Sequence, residues 1–529
     1  METQMLRLGV DVGGTNTDAV LMRGRAIIGA NKSFTSADVM DGVVKSVTRL
    51  LTDNRVSASS ISHVMIGTTQ FINAFIQRKD LVRTAIVRAA LPRGDGVPPL
   101  IGWPEDLLNV IGRHSYQVKG GANYDGALYQ ELDEDEIRAV ALDLHERGIE
   151  AVALSATYAP LRPDIEARME EIVASACPRI AITRSGNVGG LNLVDRENAA
   201  IINASLQPLA NRVVAALEAA FQQLGIQAPI LISQNDGTLI SCAEAARHPV
   251  FTCAAGPTNS IRGAAFLSGL ANAVVIDVGG TTTDVGYVTK GFPKETALPN
   301  LIGGVRTNMR MPDVLSIALG GGTLVMTDGL ETILGPSSVG LRLKDEARIF
   351  GGDVLTASDI AVAAGRAEIG DASRVADLDR QMVRDTMQAM ARLAEEAIDR
   401  IKTSAAPVPA ILVGGGHILL PDTLQGVSEV IRPQHAAVAN AVGAAIATVS
   451  GRTDKIYDVG TMGRDAAVEA AKAEAISAAI AAGADAETIE IVEFVELPMT
   501  HIQAHATQIK IRAVGDLLGI STARDLDAA

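Results

Sequence analysis

Three cysteines in 529 residues, Cys177, Cys242 and Cys253, are too few and too dispersed for a disulfide framework or a cysteine-rich zinc site. Each is expected to be buried as a small hydrophobe. No uninterrupted apolar stretch approaches the roughly 20 residues of a membrane-spanning helix, and no basic segment followed by an apolar run opens the chain. Basic clusters are missing too. With 46 Lys and Arg against 61 Asp and Glu the formal net charge is −15, which argues against nucleic acid or an anionic membrane surface as a partner. Aromatic residues reach only 3%, and the 50 glycines follow no repeat, so collagen-like and linker-like classes fail. A cytoplasmic globular protein is the expectation that survives.

The length argues for at least two domains, each able to bury its own core. Their organising feature is a motif that occurs twice. The first copy is Leu8-Gly9-Val10-Asp11-Val12-Gly13-Gly14-Thr15-Asn16-Thr17-Asp18, and the second is Val275-Ile276-Asp277-Val278-Gly279-Gly280-Thr281-Thr282-Thr283-Asp284. Each begins as an apolar β-run, reaches an Asp, turns at two glycines, then supplies hydroxyl-bearing residues and a second Asp. Glycine allows a sharp turn and a close approach of backbone to ligand, and free N–H groups and Thr hydroxyls donate to phosphate oxygens. Gly13, Gly14, Thr15 and Asn16 form one candidate set, and Gly279, Gly280, Thr281 and Thr282 the other. Carboxylates cannot bind phosphate directly, so Asp11 and Asp277 imply a bridging Mg²⁺ reached through water. One such motif also fits an ordinary strand–turn–strand. Two make a duplicated nucleotide clamp the better reading.

Residues 6–34 read as a β-meander, followed by a helix over 38–51. Thr68 and Thr69, just ahead of a helix, are either an anion or substrate contact or a plain N-cap. Strands at 81–87, 151–155 and 180–183 alternate with helices at 133–147 and 163–176, which indicates an α/β fold. The loop 91–107 holds Trp103 and either lines the site or is a structural excursion. A long helix over 199–224 is expected to break or kink at Pro208. Ile230–Ser233 ends in a polar turn that includes Asn235, at the C-terminal end of a strand where ligands gather in open α/β sheets. Two further strands end in glycine runs, Gly320-Gly321-Gly322 and Gly414-Gly415-Gly416, and the second is the candidate adenosine contact. Residues 436–449 read as a buried helix, and an Ala-rich helix with two strands after 460 reads as a small α+β tail. His501 and His505 have i, i+4 spacing, with a surface loop the default over a metal site.

With both clamps, the sequence resembles the actin / Hsp70 / sugar-kinase superfamily, and within it the ATP-binding A-type subunit of the hydantoinase/oxoprolinase family. The further marks are Gly67-Thr68-Thr69-Gln70-Phe71-Ile72-Asn73-Ala74, His248-Pro249-Val250 ahead of Ala255-Gly256-Pro257, and Gly414-Gly415-Gly416-His417. The resemblance implies two actin-like lobes around an ATP and Mg²⁺ cleft, at 1–265 and 266–460, with the tail at 461–529. It implies ATP-driven opening of a cyclic amide such as a hydantoin or 5-oxoproline. In that chemistry Asp11 and Asp277 act through Mg²⁺, and Thr15 and Thr281 hold phosphate oxygens. Asp18 and Asp284 either orient a nucleophile or brace their own turns, and Thr68, Asn73 and Asn235 face the substrate. Where longer members carry a Cys-containing loop, the residues after Gly335-Pro336 hold none. The chain has no room for a fused B-type subunit, so a separate partner subunit is expected, and a homo-oligomer is left open. A small-molecule or ketone phosphotransferase and a non-catalytic ATP-binding regulator are the alternatives.

Overall fold

Strand Leu6–Val12 is buried along its whole length. Leu8, Val10 and Val12 enter an apolar core with Val43, Val47 and Leu50, which helix Val39–Asp53 presents at helical spacing. Asn16–Arg23 and Ala26–Phe34 complete an antiparallel meander on one edge of this strand. On the other edge Ile61–Thr68 runs parallel to it, and Ile230–Ser233 runs parallel to that. A second sheet repeats the arrangement. Ala273–Val278 pairs antiparallel with Thr283–Thr289, then parallel with Val408–Val413, which in turn pairs with Val427–Ile431. Helix Arg380–Ile401 covers it with Val383, Met390, Ala394 and Ile398. Each sheet carries one copy of the duplicated motif, and the two form the lobes of an α/β protein. This computed structural model describes residues 5–13, 16–34, 39–296, 299–328, 331–499 and 506–518. No described helix is long and apolar enough to cross a membrane, and Cys177, Cys242 and Cys253 are all buried with free thiols.

The first lobe carries an inserted layer. Its four strands, Ala181–Arg184, Ala151–Ala156, Thr84–Leu91 and His114–Lys119, are all parallel. Helix Leu193–Gln223 ties this layer to the lobe: Ala199, Ile201 and Leu206 belong to one core, Leu217 and Phe221 to the other. At 31 residues it is roughly 46 Å long by its rise of 1.5 Å per residue. Pro208 lies inside it and does not break it, which leaves the kink of the two expected outcomes. A proline removes a single hydrogen bond, and packing at both ends holds the helix through the gap. Trp103 is structural: its indole N–H donates to Asn198 Oδ1 at 2.8 Å in the core.

The region expected as a helix over 436–449 divides. Helix Ala439–Ala445 stops, and strand Thr448–Asp458 begins. That strand pairs with Thr238–Ser241 and Ala506–Gly515, with Glu490–Pro498 outermost, so nine strands form one sheet that starts at Leu6. The segment expected as a separate tail is thus hydrogen-bonded into the first lobe's sheet. Its Ala-rich helix Arg464–Ala481 buries Ala467, Ala471, Ala475 and Ala479. The small face is needed because Gly451 is so near that a Cβ there would lie 2.0 Å from the Ala475 carbonyl oxygen.

Two helices cross between the lobes. Ala255–Ser268 packs on the second sheet and Ala439–Ala445 on the first. They touch backbone to backbone: a Cβ on Gly263 would lie 1.9 Å from Ala439 O, and one on Gly443 would lie 1.8 Å from Asn259 O. Gly443→Ala should therefore force the helices apart and destabilise the protein by about 1–3 kcal/mol, the usual range for overpacking. A thermal-unfolding midpoint unchanged from the parent would refute this.

Candidate functional site

The two glycine turns share one hydrogen-bond pattern. Asp11 stands opposite Asp18 and Asp277 opposite Asp284 in their hairpins. The Gly13 N–H donates to Asn16 O at 3.0 Å, and the Gly279 N–H donates to Thr282 O at 2.9 Å. Those two amides close the turns and are not free for a phosphate, a correction to their reading as donors. Gly14 and Thr15 lie outside the described residues, as do His501 and His505. Thr281 and Thr282 are exposed at the tip of the second turn, with Gly280 part-exposed beside them, and Asn16 is part-exposed at the foot of the first.

Beneath the turns four carboxyls gather. Asp11 is 5% exposed, and burial first, then its neighbours Asp18 and Asp277, push its pKa up to about 7 against the opposing effects of Asn440 and Lys32. Burial raises Asp277 as well, countered by Ser260, Lys32 and Asn440. Burial also raises Asp18, where the Lys32 ammonium opposes it, and lifts Asp284 to about 6. Lys32 holds both Asp18 oxygens at 2.8 and 2.9 Å and donates to Ala437 O at 3.0 Å, so it links the meander to the approach of the crossing helix. Asp284 accepts from the Ser316 hydroxyl.

The crossing helices supply what the sequence motifs missed. Asn440 Nδ2 donates to Asp11 Oδ2 at 3.5 Å. Asn259 is fully buried, and neither atom of its amide has a hydrogen-bond partner; Asp11 Oδ1 is likewise buried without one, and the buried Ser260 hydroxyl is turned toward Asp277. Gly67 is squeezed among them, since a Cβ there would lie 2.6 Å from Asp11 Oδ1 and 2.5 Å from Asn259 Nδ2. Lys32 was findable, because it sits directly opposite Asp18 in the meander register. Asn259, Ser260 and Asn440 had no such signal, as only the helix crossing brings them to the carboxylates.

Other expected residues turn out to be supports. Gly320 lies against the second turn, where a Cβ would be 2.6 Å from Thr281 N. Its own N–H goes to Thr323 Oγ1, while Gly321 N and Gly322 N donate to Gly279 O and Gly280 O. These amides are therefore engaged, and the loop holds the turn rather than a ligand. Gly414, in a left-handed conformation, leaves room for Asp277, because a Cβ would meet Asp277 Oδ1 at 2.2 Å. Gly416 N donates to Val278 O, and Gly415 passes near Lys32. Thr68 is buried beside the end of the first strand, opposite Val12. Thr69 occupies the N-cap of helix Gln70–Ile76 without a capping bond from its side chain, and its hydroxyl instead accepts from Asn73 Nδ2 at 3.2 Å. Asn235 is fully committed: Nδ2 donates to Val250 O at 3.1 Å, Oδ1 accepts from Ala254 N at 2.7 Å, and its backbone bonds to Phe251 and Thr258. It clamps two loops together, which corrects its reading as a substrate contact.

Residues 7–177 match the hydantoinase/oxoprolinase N-terminal region, and residues 196–413 match the hydantoinase/oxoprolinase region that follows it. The chain belongs to the hydantoinase/oxoprolinase family. Among curated relatives of this family member, caprolactamase subunit alpha of Pseudomonas jessenii is 24% identical over 368 residues, covering 64% of this chain and 51% of that protein. Acetone carboxylase beta subunit of Xanthobacter autotrophicus is 24% identical over 419 residues, covering 72% and 57%. The chain spans about half the length of the curated relatives it matches. Two solved structures share its fold at 18% identity: ATP-dependent caprolactamase from Pseudomonas jessenii, with a TM-score of 0.73 over 96% of this chain and 87% of that one, and nucleotide-free acetone carboxylase, with 0.72 over 98% and 89%.

The orphaned oxygens suit a hard cation. Asp11 Oδ1 and the Asn259 carbonyl oxygen are oxygen donors of the type Mg²⁺ takes directly or through water. Among the described residues no three His, Cys, Asp or Glu side chains converge as a metal cluster, so ligation by one or two carboxylates with water is the arrangement that fits. In metal-free protein the raised Asp11 pKa has a stability signature. The folded value of about 7 lies above the ordinary 3.8, so folding favours the protonated form. Stability is fullest below pH 4 and falls as pH rises toward 7. Metal-free Asp11→Asn should match the parent near pH 4 and exceed it at pH 8 by about 2–4 kcal/mol. Unfolding midpoints measured from pH 4 to 8 check this, and parallel curves would count against a strained carboxyl at Asp11.

Proposed function

We propose that this chain binds Mg²⁺-ATP between its two glycine turns and transfers the γ-phosphoryl group to the carbonyl oxygen of a cyclic amide, committing the ring to opening. The observation that carries this reading is the duplicated hairpin, with Asp11 buried on one lobe and Asp277 on the other close enough for its charge to push the Asp11 pKa up. An unstrained lactam carbonyl is a poor electrophile. Once its oxygen carries phosphate, one water adds to the carbon, the nitrogen takes up a proton and leaves as the C–N bond breaks, and a second water hydrolyses the resulting acyl phosphate, giving ADP, phosphate and an acyclic amino acid or ureido acid. The metal, when bound, neutralises charge on the transferring group.

The chain's own residues do the rest by placement. Asp11 and Asp277 would hold the metal through water, with Asn259, Ser260 and Asn440 beside them. Thr15, Thr281 and Thr282 would supply hydroxyls to phosphate oxygens, and Lys32 opposes the upward shift that burial imposes on Asp18 behind the first turn. The loop 414–416 borders the nucleotide, and Thr68, Thr69 and Asn73 face the incoming amide from the end of the adjacent strand. Two of its relatives are an alpha and a beta subunit, which favours work alongside a partner subunit. Equal likeness to an acetone carboxylase subunit supports a second reading, in which a ketone receives the phosphoryl group at the same clamp.

Phosphate release from Mg²⁺-ATP, measured with hydantoins, 5-oxoproline, larger lactams and simple ketones, tests this. One compound class should stimulate release at least tenfold, and Asp11→Ala should lower the stimulated rate by about 10²-fold or more, the scale of losing a positioned electrostatic group. Stimulation by ketones alone would favour the second reading. ATP binding without stimulation by any compound would favour a non-catalytic regulator.

A further inference from the structure

A cavity of about 450 Å³ lies beyond the committed Asn235, and no described residue of either glycine turn lines it. Four parts of the fold converge on it: the loop 186–191 ahead of the long helix, the turn 234–236, residues 308–310, and the late strands Thr448–Asp458 and Ala506–Gly515. Its volume suits a small metabolite.

The charges facing it run against those of the whole protein. Arg310, Arg452, Lys455 and Lys510 line it, against the carboxylates of Asp236 and Asp454 only. The other carboxylates that pair with these cations stand outside the lining. Arg310 is held by Glu493 and Glu295, and Lys455 by Glu474 at 2.7 Å. Within the lining Arg452 pairs with Asp236 and Lys510 with Asp454 at 3.3 Å, so in a chain of net charge −15 the wall carries four cations and two carboxylates, with every cation in an ion pair that an incoming carboxylate would share. Val188, Phe251 and Met309 add apolar wall. Asn308 lines the cavity, and its Oδ1, buried behind the wall beside Gly189, has no hydrogen-bond partner, so a turn of the amide toward the cavity would let it accept from a ligand.

A ligand that meets all of this carries a carboxylate, a short apolar body and an N–H donor. We propose that the cavity binds an acyclic amino or ureido acid, the ring-opened product class of the reaction above, at a site separate from the nucleotide clamp. The carboxylate meets the cations, and the amine or urea N–H meets Asn308 and the two carboxylates. The choice of ligand class rests on the proposed function, whereas the cavity's selectivity for acyclic acids stands on its own lining.

Calorimetric titration of the nucleotide-free chain tests it, using 6-aminohexanoate, glutamate and N-carbamoylglycine, with caprolactam, 5-oxoproline, hydantoin and inorganic phosphate as comparisons. At least one acyclic acid should bind ten times or more tightly than its ring form. Lys455→Met with Lys510→Met, two side chains at the solvent edge of the cavity, should weaken it at least tenfold with the unfolding midpoint kept. Asn308→Leu should do the same, and Asp11→Asn should leave binding unchanged. Equal binding of ring and acyclic forms, binding of phosphate alone, no binding at all, or loss on Asp11→Asn would each overturn the proposal. Acid binding that persists while no cyclic amide stimulates phosphate release would retire the proposed reaction and leave this site standing.

Discussion

The contact on which the rest depends is the crossing of helices Ala255–Ser268 and Ala439–Ala445. Each helix lies on one lobe's sheet, and they meet where Gly263 and Gly443 have no side chains. Without that approach the two Asp-bearing hairpins would be two separate strand–turn–strand units. With it, Asn259 and Ser260 from one helix and Asn440 from the other reach the carboxylates between the sheets. Close packing of this kind leaves little compliance, so the distance between Asp11 and Asp277 is set by backbone rather than by flexible side chains.

The carboxyls gathered there are held against their chemistry. Four acids with raised pKa values and several buried polar atoms without partners form a locally unfavourable arrangement in the free protein. Conflict of this kind between local stability and global fold is characteristic of functional sites. In the inserted layer and long helix around it, by contrast, large buried charges are paired: Arg88 meets Glu197 at 2.7 Å, and Glu166 accepts from Ser185, Ala156 N and Gly186 N.

Much of this was legible before the fold was known, and the divisions are physical. Apolar periodicity and turn glycines marked the first meander, Pro163–Ala176 and Ile230–Ser233, because local sequence determines such elements. The motif residues Asp11 and Asp277 fell where expected for the same reason. Misreadings came where a residue's partners are remote in sequence. Asn235 looked like a ligand contact from its position at a strand end, yet its amide is consumed by residues 250 and 254. Gly320 and Gly321 looked like ligand-facing backbone, yet the backbone they approach is the second turn itself. Strand Thr448–Asp458 went unread because what makes it a strand is remote: it pairs along its length with Ala506–Gly515 and at its start with the edge of Thr238–Ser241.

That edge has a consequence for how the chain comes together. The nine-stranded sheet begins at residue 6 and receives its last strand at Ala506–Gly515, with the entire second lobe made in between. During synthesis the strands of the second lobe, 273–431, are complete and can pair while Thr238–Ser241 still exposes an unpaired edge. Contacts this distant in sequence are slow to form, and an open strand edge is a template for wrong pairing. The lobe that starts first therefore finishes last, and the interval between the two is the stage at which this chain is most exposed to self-association.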